Sequence, residues 1–158
     1  MEYGILILLH VVSSFIWGGG VLISGFFYIP AVLEAGPGGG AVVGGIMKRK
    51  YGLIMTVASF IALLSGFRLY GIRFGNGAPW NPERIVLTLG VLLGLSVFAI
   101  GMFRQKPLAE KLGLLAKEGR GAEIPAVAAQ LTRYAKIAAW HIVAVIILMA
   151  GHSLASQL

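Results

Sequence analysis

Residues 85–103 read IVLTLGVLLGLSVFAIGMF, without one charged side chain. A helix that crosses a bilayer needs about 20 mostly apolar residues, and this run meets that length. The residues on either side agree. Asn81-Pro82-Glu83 reads as an N-cap, a proline in the first turn and an acid that favours the helix dipole; the pattern predicts a helix that starts at Pro82. On the far side Arg104 and Lys106 end the apolar run at once. The stretch therefore predicts a transmembrane helix bounded by polar signals.

Three further runs have the same character, at about 5–28, 53–72 and 137–154. The expected fold is all-α: a four-helix transmembrane bundle, with residues 1–158 as one polytopic membrane domain. Composition leads the same way. Of the 158 residues 58% are hydrophobic and 12% charged, with six Glu and no Asp, and the mean hydropathy is +0.87. A soluble domain carries about 25% charged residues. There is no Cys, which excludes thiolate chemistry, Cys-ligated zinc, iron–sulfur clusters and disulfides. The first run has no basic segment before it and no small-residue cleavage site after it. It is expected to stay in the mature chain as a span.

The cations give a direction. The connections after spans one and three hold Lys48, Arg49, Lys50, Arg104, Lys106, Lys111, Lys117, Arg120, Arg133 and Lys136; the opposite side holds only Arg68, Arg73 and Arg84. Ten against three places the first group in the cytoplasm and both termini outside. The pI near 10.1 thus reads as topology, and no nucleic-acid partner is expected. Within the cytoplasmic connection 104–136, residues 108–118 read as a short amphipathic helix, broken by Gly119-Arg120-Gly121, and helix resumes from Pro125. Residues 34–45 (EAGPGGGAVVGG) read as a mobile glycine-rich loop and not a P-loop, because no Gly-Lys-Ser/Thr follows.

Polar groups inside a span are costly and usually mark function. His10, His141, His152 and Arg68 are the candidates. His10 lies about 8 Å inside the first span, and His152 lies near the end of the fourth, which leaves on the same side. Two imidazoles at similar depth on different helices suit a metal held between them. His141, three turns before His152 on the same face, lies about 16 Å deeper. Ser14 and Trp17 share a face with His10. Arg68, Arg73 and Arg84 fall near the same outer surface, where guanidinium groups would pair with carboxylates such as haem propionates. Met149, three residues before His152, would suit copper instead; Met55 and Met102 are the methionines nearest the expected depth of His141. Against all of these stands the plain alternative, in which an intramembrane His makes one interhelical hydrogen bond. No nucleophile–base pair, carboxylate pair or acid within a span is present, so hydrolytic and acid–base glycoside chemistry are not expected.

Leu9-His10-Val11-Val12, with Trp17 and Gly18-Gly19, resembles the first helix of the CopD and HemJ superfamily of small membrane proteins. Met47-Lys48-Arg49-Lys50-Tyr51-Gly52-Leu53-Ile54-Met55-Thr56, with Gly66 closing the run, is similar to the second helix of HemJ-type protoporphyrinogen oxidases. The resemblance covers the first two spans. It implies a four-helix membrane protein that binds haem b, with His10 at the position of a functional histidine. Arg84 stands where that family has a lysine, and Ala138-Ala139-Trp140-His141 stands near its Asn-Glu-x-Pro segment. The function expected is a haem-b-binding membrane redox protein, acting in electron transfer or in porphyrinogen or quinol oxidation. A CopD-like copper-handling protein is the first alternative, and a cofactor-free structural or assembly subunit the second. The expected partners are the bilayer of a bacterial inner membrane, a membrane quinone or porphyrinogen, and a second copy of the chain in a homo-oligomer.

Overall fold

The computed structural model describes residues 2–34, 36, 38–48, 50–75 and 79–155. All elements among them are helical. Helix α1 (Glu2–Ile23) passes through a π-helical turn at Ser24–Tyr28 and continues as α2 (Ile29–Glu34). Two helices follow, α3 (Gly39–Lys48) and α4 (Lys50–Phe74). Helix α5 (Pro82–Ile100) enters a second π-helical turn at Gly101–Gln105 and continues as α6 (Lys106–Lys117). A 3-10 turn at Gly121–Glu123 leads into α7 (Ile124–Ala155).

Four rods are long and apolar enough to cross a membrane: Glu2–Glu34, Lys50–Phe74, Pro82–Lys117 and Gly121–His152. They outrun the spans expected from hydropathy. A rod of 33 residues is about 50 Å long, against about 30 Å of hydrocarbon, so rod ends would project beyond it. The outer surface carries large apolar side chains. Phe15 is 81% exposed, and Phe27, Leu53, Leu64 and Ile147 are also well exposed. Patches of this extent are rare on soluble monomers; they are compatible with a lipid environment.

Side-chain pairs set the topology. Glu2 meets Arg68, His10 meets Ala62, and Gly20 meets Tyr51, so α1 and α4 are antiparallel. Tyr70 with Thr88 and Phe60 with Phe98 align α4 and α5 the same way. His141 with Ser96 and Tyr134 with Gln105 do so for α5 and α7. The ring closes where α7 crosses α1. A Cβ on Gly18 would touch Ile142 at 3.5 Å, and one on Gly25 would stand 2.5 Å from the Ala135 carbonyl oxygen. Small residues there let the backbones approach, as they do where lipid removes the hydrophobic drive between helices.

The start of α5 matches expectation: the Asn81 side chain accepts from the Arg84 N–H at 2.8 Å, with Pro82 in the first turn. The amphipathic helix is present as α6, continuous with α5 through the π turn. It ends at Gly119 (φ +68°), a left-handed conformation that favours glycine. Beyond it Arg120 pairs with Glu118 at 3.0 Å and Glu123 at 2.6 Å, and both acids raise its pKa above the usual arginine value.

Residues 34–45 are not the loop expected. Ala35 and Pro37 lie outside the described residues, as does Arg49, but residues 39–48 form α3. The cause is burial. Val43 is 2% exposed and joins Leu112, Leu115, Val127 and Leu131 in the best-packed core of the molecule. That packing outweighs the helix cost of glycine, about 1 kcal/mol each. The core lies at one end of the bundle, where α3, α6 and the first turns of α7 meet. A smaller cluster, Val97, Ala138 and Ile142 with Trp17 against it, holds the middle of the bundle.

Candidate functional site

Each of the three histidines is fixed through the same ring nitrogen. His10 Nδ1 lies 2.9 Å from the Ala62 carbonyl oxygen on α4. A carbonyl only accepts, so Nδ1 carries the proton and, in the neutral ring, Nε2 keeps its lone pair. Gly66 makes room for this ring: a Cβ there would meet His10 Cε1 at 2.9 Å and Nδ1 at 3.1 Å. On α7, His141 Nδ1 lies 2.8 Å from Ser96 Oγ. Ser96 spends its own proton on the Leu93 carbonyl at 2.7 Å, so the imidazole is the donor. His152 Nδ1 donates to the Met149 carbonyl one turn back. In all three, Nε2 is the nitrogen left for another partner.

These rings face different neighbours. His10 belongs to the α1–α4 contact and His141 to the α5–α7 contact. The crossing of α1 and α7 pairs Gly18 with Ile142. That register, carried about two turns further, brings residue 10 level with about residue 150. No hydrogen bond joins His10 to His152 among the described residues, and no cluster of three or more His, Asp or Glu side chains that would hold a metal ion occurs among them. Trp17, a helical neighbour of His10, packs with Val97, Ala138 and Ile142. Ser14 is half-buried; the adjacent Ser13 is the buried one, with its hydroxyl donated to the Leu9 carbonyl. Met149 packs on α5 at Gly90, and Met55 packs on α1 at Gly20. Met102 lines the internal cavity described below.

The arginines have partners within the chain. Arg68 directs Nε and Nη2 to Glu2 Oε1, at 3.1 and 2.8 Å. Arg73 forks across both oxygens of Glu83, each at 3.2 Å. Arg84 donates to the Tyr70 hydroxyl at 3.3 Å and lies over the Trp80 ring, 4.5 Å from its centroid. Glu2 was not anticipated as a partner, and Glu83 was anticipated only at a helix start. Depth would have revealed the first: Glu2 opens the first rod at the level where Arg68 nears the end of the second.

The large cavity lies elsewhere. It measures about 720 Å³ and no histidine lines it. Its walls include Ser24 and Tyr28 of the first π turn and Gly101, Met102 and Gln105 of the second. Most of its hydroxyls are committed. Tyr51 Oη bonds to Ser24 Oγ and donates to the Gly20 carbonyl, while Thr56 and Ser59 donate to carbonyls of their own helix. The Tyr28 hydroxyl is buried with no hydrogen-bond partner.

No family model, curated protein or solved structure matches the chain.

Proposed function

We propose that the chain is a haem-b-binding redox protein of a bacterial inner membrane, with both termini on the outer side. In this reading His10 and His152 would hold the haem through their Nε2 atoms, and the protein would exchange electrons with a membrane quinol or a porphyrinogen. The observation that carries it is the shared anchoring of the imidazoles. A ligating histidine typically donates its other N–H to a carbonyl or carboxylate, which fixes tautomer and orientation, and His10 and His152 both do so. The register of α1 on α7 supports their common level.

The donor chemistry fits haem iron, which would supply one-electron redox chemistry when bound. The arginines fit less well as propionate partners. Arg68 and Arg73 already hold Glu2 and Glu83, and a propionate would have to displace a carboxylate of the chain. Their role here is to join rods at the outer rim. The ten-to-three division of cations supports the orientation.

The test is the visible spectrum of the purified protein. The expected result is a Soret band with split α and β bands on reduction. His10→Ala and His152→Ala should each abolish the low-spin spectrum, and His141→Ala should retain it. An unchanged spectrum in either of the first two variants would sink the pairing.

The cofactor-free subunit has its own support. His10 on Ala62 and His141 on Ser96 each tie two helices together, and that alone would account for two of the histidines. A colourless, metal-free protein that His10→Ala merely destabilises would establish that reading. A colourless protein containing copper would favour the copper alternative, for which Met149 packed at Gly90 offers no distinct support.

A further inference from the structure

We infer that the cavity between the two π turns is a binding site for a neutral, lipid-soluble ring with carbonyl acceptors, the chemistry of a quinone head group. Four observations converge. The volume, about 720 Å³, falls within the range of about 300–1,000 Å³ usual for small-molecule sites. The wall offers flat and adaptable apolar surface: Trp17 and Phe98 for a ring, Met55 and Met102 to fit around it. One buried hydroxyl is left over among the described residues. Tyr28 has a buried hydroxyl without an acceptor, while the hydroxyls of Tyr51, Thr56 and Ser59 are spent on backbone carbonyls. An orphaned buried donor is costly in a native interior, and a turn of the Tyr28 ring toward the cavity it lines would let a ligand carbonyl satisfy it.

The fourth observation is the backbone. Both π turns border this cavity, one in each of two rods. Such turns are rare and often occur at functional sites. Here the first brings Ser24 and Tyr28 to one cavity, and the second brings Met102 and Gln105 to the same place. Among the described residues the lining holds one cation and one anion, Lys106 and Glu110, a balance that favours a ligand without net charge. Any redox role for the occupant rests on the haem reading above; the binding itself does not.

The test uses decylubiquinone and the purified full chain in detergent. Trp80→Phe/Trp140→Phe leaves Trp17, on the cavity wall, as the sole fluorophore. Decylubiquinone should quench it saturably. Tyr28→Phe should weaken binding about 2- to 10-fold, the loss of one neutral hydrogen bond. An analogue of the same shape with both carbonyls replaced by methoxy groups should bind the unaltered cavity more weakly by a similar factor. Ser59→Phe, which fills space on the wall, should abolish saturation. A haem-free preparation of the full chain should bind decylubiquinone equally well, since no histidine lines the cavity, so failure of the haem reading does not alter this result. Linear, unsaturable quenching overturns the inference, as does equal affinity for the carbonyl-free analogue.

Discussion

Glu83 is the most consequential acid in the molecule. It sits in the first turn of α5, where the helix dipole favours a carboxylate, and it is 7% exposed. Arg73, near the last turn of α4, forks onto both of its oxygens. The pair therefore fastens α4 to α5 across residues 75–81. Glu2 makes a similar pair with Arg68, but both of its side chains are more than half exposed, and such pairs contribute about 0–1 kcal/mol. Glu83→Ala should lower stability by about 1–2 kcal/mol, a charged hydrogen-bonded pair discounted because Arg73 is half exposed. Glu2→Ala should cost measurably less. Parallel thermal melts in one detergent decide this, and equal losses would refute the ranking. The Asn81 cap was legible in the sequence because capping is local, side chain to backbone three residues on. The Arg73–Glu83 pair was not, because it depends on how α4 and α5 pair. The histidines stand between these cases: their depth could be counted, but Ala62 and Ser96 became visible as partners only once the helices were paired.

At the scale of elements, α3 is the instructive case. Its composition, half of it glycine and alanine around Val42 and Val43, has weak intrinsic helix preference. It is helical because α6 gives it a surface to cover. Local pattern alone predicted a loop, and tertiary burial overrode it. Leu112 of α6 is fully buried in this contact. Leu112→Ala should cost about 2–5 kcal/mol and release α3, and the sign would be faster tryptic cleavage after Lys48 or Lys50. Cleavage at the unmutated rate would show that α3 holds without this packing. The four long rods were legible from hydropathy, and their lengths were not. The π turns carry α1 into α2 and α5 into α6 with no break in helical winding, so the rods pass the points where apolar character fades. No residue pattern at 24–28 or 101–105 announces a π turn.

The whole molecule is an up-down-up-down ring in which α1, α4, α5 and α7 each meet two neighbours. The proposed orientation of that ring is testable: a reporter fused after Leu158 should behave as periplasmic in a bacterial host, and cytoplasmic behaviour would invert the orientation. The ring also has two unlike ends. One is built from α3, α6 and the start of α7 around Val43, Leu112 and Leu131. The other is joined by Glu2–Arg68 and Arg73–Glu83 with little apolar burial. Water drives the first end together, because apolar side chains there leave solvent as they meet. Between the rods lipid exerts no such drive, and close backbone fit has to serve instead. A change of detergent or acyl-chain length should therefore be felt mainly by the rods and their outer rim. The α3–α6 end should keep its shape after the bilayer is stripped away, as a floor that stands while the walls loosen.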